Sequence, residues 1–117
     1  MKTLRQINNE IMRLAKDKRE AEEACDRRKA SSIQREIDQL RFFRLYLETN
    51  PRPETVQKMR SDVIQKIKVL EDRFPLWLSG QVVSGETKAL QAKYYATAGI
   101  PELKSRLKAL NYLCEQS

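Results

Sequence analysis

From Thr3 to Glu48 the chain contains neither proline nor glycine, and its residues are mostly strong or tolerable helix formers. Within that run Leu4, Ile7, Ile11, Leu14, Ala21 and Cys25 recur at helical spacing, and Ile33, Ile37, Leu40 and Leu47 resume the pattern. At about 100° per residue these positions share one broad face of an α-helix. A strand would need alternation of period two, which is absent here.

The middle of the run is different. Between Lys16 and Lys29 only small apolar residues occupy the inward positions, while both charge signs alternate at pairing distance, as in Lys16/Glu20 and Arg19/Glu23. This reads as a solvated helix with a thin apolar seam. The spacing favours one continuous helix over 3–48, about 70 Å long at 1.5 Å per residue. The alternative is a break at Ala30-Ser31-Ser32, where Ser31 and Gln34 offer a capping box.

Asn50-Pro51-Arg52-Pro53-Glu54 ends the run, since two prolines interrupt the hydrogen-bond ladder and Pro53 can open a new helix. Val56, Met59, Val63, Ile67, Leu70 and Phe74 mark a second amphipathic helix, from about Pro53 to Arg73. Pro75 to Gly80 is an apolar connector with Trp77 as a core anchor, and Ser84-Gly85 closes a loop. A third helix follows over about 86–98, Gly99 supplies a left-handed cap, and Ile100-Pro101 starts a fourth with the stripe Leu103/Leu107/Leu110/Cys114. The expected fold is one all-α domain over 1–117. A long antiparallel helical hairpin, coiled-coil-like, fills 1–74; the connector and a short C-terminal helix pair fill 75–117.

Several functions are excluded or disfavoured. There is no histidine, which removes the commonest general base and metal ligand. Cys25 and Cys114 share no zinc-ligand spacing, and Gly80, Gly85 and Gly99 form no phosphate-cradling motif. No metal, cofactor or small-molecule substrate is expected, and the chain does not read as an enzyme. No apolar stretch approaches the ~20 residues of a spanning helix. No membrane is therefore expected, and the expected compartment is the cytoplasm, with both cysteines reduced and acting as small apolar residues.

The continuous helix has a consequence for function. A second helix of about 30 Å covers less than half of a 70 Å first helix. Leu4, Ile7, Ile11 and Leu14 would then project with nothing in the chain to cover them, and form a protein interface. Burying them could contribute about 1.5–3 kcal/mol each as an upper estimate. The expected function is a non-enzymatic helical interaction or assembly protein, a homo-oligomer or a component docked on a larger protein assembly. Phage structural components and small inhibitors of larger machines have this general build.

The second reading starts from charge. The chain carries 23 Lys+Arg against 16 Asp+Glu, a net charge of +7. Such a balance suits an acidic or nucleic-acid surface. Arg41-Phe42-Phe43-Arg44-Leu45-Tyr46 interleaves arginine with aromatics, as single-strand platforms do, although Phe43 and Leu47 also extend the core stripe. Nucleic-acid contact would use Arg41, Arg44, Lys93, Lys104, Arg106 and Lys108. In a helix-turn-helix the site four before the turn glycine is small, and the sites six and nine after it are apolar. Here they are Tyr95, Ser105 and Lys108, so an ordinary helical hairpin fits residues 86–114 better.

Overall fold

A computed structural model describes residues 1–49, 52–80 and 87–115. Asn50-Pro51 and Ser84-Gly85, the expected breaks, lie outside these ranges. Six helices and no strand occur among the described residues: α1 (Leu4–Glu23), α2 (Arg27–Leu47), α3 (Pro53–Asp72), α4 (Phe74–Ser79), α5 (Thr87–Ala98) and α6 (Ile100–Cys114). The all-α class, a helix opening at Pro53 and the C-terminal helix pair are as the periodicity predicts.

The first segment departs from expectation. It is neither continuous over 3–48 nor broken near Ser31, which lies inside α2; the chain turns at Ala24-Cys25-Asp26. The Asp26 amide donates to the Ala21 carbonyl at 2.8 Å and the Cys25 amide to Glu22 at 3.0 Å, closing a Schellman turn. Cys25 takes the left-handed position, φ 58°, where glycine is usual. The Asp26 side chain then accepts from the Lys29 amide and caps α2. One short segment therefore both stops α1 and starts α2, using neither proline nor glycine.

The turn makes α1 and α2 an antiparallel hairpin. Arg44 donates to the Asn8 side chain at 3.0 Å across it, although a continuous helix would hold those residues about 54 Å apart. The start of α1 is fixed by a reciprocal capping box: Thr3 accepts from the Gln6 amide, and Gln6 accepts from the Thr3 amide.

The fold-back changes what the apolar stripe does. Ile7, Ile11 and Leu14 are buried within the chain's own core, and only Leu4 stays open, at 40%. The expectation that all four project from the molecule is therefore corrected; α2 and α6 cover three of them. The main core joins these residues to Ile33, Ile37, Leu40 and Phe43 of α2, Val56, Val63 and Ile67 of α3, and Leu103, Ala109, Leu110 and Leu113 of α6.

Helix α6 is the centre of the assembly. It pairs with α3 and crosses α2. It also reaches α1, where Lys2 donates its amide to the Leu113 carbonyl and the Tyr112 hydroxyl donates to the Gln6 carbonyl. Gly99, at φ 76°, makes the sharp α5–α6 turn as predicted. A smaller aromatic cluster closes the far end: Phe74 packs 5.6 Å from Tyr94 and Trp77 packs 5.3 Å from it, ring centre to ring centre. The Tyr94 hydroxyl donates to the Leu70 carbonyl. Trp77 is thus the expected anchor.

The Cα extents are 51 × 38 × 19 Å, with a radius of gyration of 16.8 Å. A ball of this length would have about 13 Å. The molecule is a slab, and its thin axis has room for two helix layers.

Candidate functional site

Two surfaces remain once the core is assigned. The first is the solvent side of the α1–α2 hairpin. Met12 is 70% exposed, Leu45 62% and Phe42 54%, and Leu4 near the start of α1 is also open. Helical spacing explains the split in the arginine–aromatic run. Phe43 lies on the core stripe and is fully buried, while Phe42 and Leu45 turn outward, Phe42 resting edge-on against Phe43. The run is therefore packed through Phe43, Tyr46 and Leu47 and open at Phe42 and Leu45. Leu76 of α4 is also exposed, on a different element.

The second is a cleft of about 360 Å³ between α2 and the α5–α6 corner. Arg35, Glu36, Tyr95, Lys104 and Lys108 line it, with Pro101 at the start of α6. Lys108 donates to Glu36 at 2.6 Å, and Lys104 sits 5.5 Å from the centre of the Tyr95 ring. The Tyr95 hydroxyl donates to Glu71 at 3.3 Å, and burial together with that carboxylate pushes its phenol above the ordinary tyrosine range. The buried Arg35 Nε has no hydrogen-bond partner among the described residues.

The sequence-derived basic set is only partly gathered. Lys104 and Lys108 share the cleft, while Arg106 donates to Gln39 and Arg44 to Asn8. Arg41 and Lys93 are exposed on α2 and α5. α6 buries Leu103, Ser105, Ala109, Leu110 and Leu113 and packs among α1, α2 and α3, while Lys104, Arg106 and Lys108 stay exposed on its outer face. Sequence reasoning missed Arg35. It also passed over Glu36, although that residue falls on the core stripe between Ile33 and Leu40 and is buried.

The cysteines are far apart in the sequence, and both are free. Cys25 is exposed at the turn, against the expectation of an inward position, and Cys114 is half-buried against the main core. Among the described residues no cluster of three acidic or thiol side chains could hold a metal ion, and no helix is long and apolar enough to cross a membrane. Comparison with protein-family models, with characterised proteins and with solved structures finds no match to this chain.

Proposed function

We propose that this chain is a non-enzymatic helical interaction protein, acting by self-association or by docking on a larger complex. Its contact surface is the solvent side of the α1–α2 hairpin rather than the stripe Ile7/Ile11/Leu14, which is committed to the core. One observation carries this reading: Met12 of α1 and Phe42 and Leu45 of α2 stand more than half exposed on two helices that pack together. Large apolar side chains left open on paired helices are what interaction sites present. Covering the three could contribute about 1.5–3 kcal/mol each as an upper estimate.

The charged groups give the non-enzymatic reading its support. The carboxylate that the fold buries, Glu36, is engaged by Lys108, and Glu10 and Asp17 are engaged by Arg13 along α1, so none of the three stands ready as a free acid or base. Light scattering after size exclusion tests the self-association arm. A dimer or larger species in the parent, reduced to a monomer by Met12→Asp with Leu45→Asp, supports it. A monomer at every concentration contradicts self-association.

The second reading, a basic nucleic-acid-binding protein using the C-terminal helix pair, is favoured by Lys104 and Lys108 lining one cleft. It predicts binding that falls steeply with salt, is lost on reversing Lys104 and Lys108 to Glu, and is indifferent to Met12 and Leu45.

A further inference from the structure

We infer that the cleft between α2 and the α5–α6 corner is a phosphate-binding site, in which Arg35 and Lys104 hold the anion. The inference is independent of the contact surface on α1–α2.

The charge balance of the cleft comes first. It is lined by three cations and one carboxylate, and Lys108 neutralises Glu36 directly at 2.6 Å. Arg35 and Lys104 are left, and neither has an ion-pair partner among the described residues. Glu71, on the Tyr95 side, accepts from the Tyr95 hydroxyl.

Hydrogen-bond accounting points the same way. A guanidinium has five N–H donors in a fixed fork and no acceptor. The Arg35 Nε donor is buried without a partner among the described residues, a costly arrangement that native proteins rarely keep unless something supplies the acceptor. The fork matches two oxygens of a phosphate, and Lys104 offers a compact point charge held over the Tyr95 ring. Helix α6 begins at this wall, where Ile100 and Pro101 line the cleft and Glu102 stands in its first turn. A volume of about 360 Å³ lies in the range of small-molecule sites and admits a phosphate with part of the group that bears it.

The phosphate could arrive free, on a small monoester, or on a nucleic-acid backbone. The test is a ¹H–¹⁵N NMR titration that follows the side-chain Nε–H resonances of the arginines. The parent is titrated with inorganic phosphate, with adenosine monophosphate and with a short oligothymidylate, each against sodium chloride at equal ionic strength.

The expected result is a saturable shift of the Arg35 Nε–H resonance with phosphate and not with chloride, while exposed Arg19 does not move. Arg35→Ala and Lys104→Ala should each weaken binding about tenfold, as loss of one charge-assisted contact does. Lys66→Ala, on α3, should not. Arg35→Lys keeps the charge while removing the fork; a folded Arg35→Lys protein with weakened binding separates ligation from structural damage. Tighter binding of the monophosphate assigns the site to a small ligand, and tighter binding of the oligomer assigns it to a backbone phosphate. The inference is overturned if phosphate moves Arg35 no more than chloride does, if Arg19 shifts equally, or if the folded Arg35 variants bind phosphate as the parent does.

Discussion

Lys108 of α6 reaches Glu36 of α2 across 2.6 Å, joining an ammonium that is 70% exposed to a carboxylate that is 11% exposed. The pair is lopsided in its surroundings, so its two halves should respond differently to substitution. Lys108→Ala leaves a nearly buried carboxylate without its cation and should cost about 1 kcal/mol, between the values for surface and buried pairs. Glu36→Leu leaves the ammonium free to turn into water and places an apolar group on the core stripe, so it should be neutral or stabilising. Urea denaturation of both variants measures the difference.

The α1–α2 turn holds Cys25 at φ 58°, a conformation that costs an L-residue about 1–2 kcal/mol. Glycine has no such cost but loses more entropy on folding. Cys25→Gly should therefore raise stability by up to about 1 kcal/mol, and Cys25→Ala, which keeps the β-carbon, should not. Thermal unfolding of the two variants side by side gives the comparison.

The four stripe residues should divide. Ile7→Ala and Leu14→Ala should each lose about 2–5 kcal/mol, because each empties a filled core position. Leu4→Ala, at a site 40% open, should lose less than about 1 kcal/mol. Equal, small effects at all four would instead describe a stripe facing solvent.

Stability should fall at alkaline pH for a specific reason. Burial raises the phenols of Tyr95 and Tyr112 above their ordinary value, with Glu71 adding to the first and Glu10 and Glu115 to the second. The unfolded chain then releases these protons first as pH rises past about 10. The stabilisation they represent is complete below that pH and is lost as pH climbs through the raised values. Tyr95→Phe should make the decline shallower, as read by denaturant midpoints across the alkaline range.

Much of this fold is legible in the sequence because its signals are local. Pro53, Gly99 and Ile100-Pro101 mark helix ends through backbone chemistry that allows few alternatives, and the α3 and α6 stripes have clean spacing. The first turn is not legible that way. Its stop is a cysteine in a conformation glycine normally takes, and its start is Asp26, which sits in a charged run and reads equally well as one more ion-pairing group. The cap was there to be seen, but the charge pattern offered a competing account. The cleft is legible in part. Glu36 on an apolar stripe is a visible anomaly, and Lys104 and Lys108 share a face of α6. Arg35 joins them only through the packing of α6 across α2, which no local spacing encodes.

The position of the contact surface depends on α1 turning back at Cys25, and a distance between the two arms of the hairpin tests this most directly. Spin labels at Asn9 and Arg41, both exposed, would be placed on a chain with Cys25 and Cys114 changed to Ser, and their separation read by double electron–electron resonance. The hairpin predicts a distance below about 20 Å, set by two packed helices and the label arms. A distribution centred near 48 Å, the span of 32 residues in one straight helix, would contradict it. That result would return Ile7, Ile11 and Leu14 to the surface.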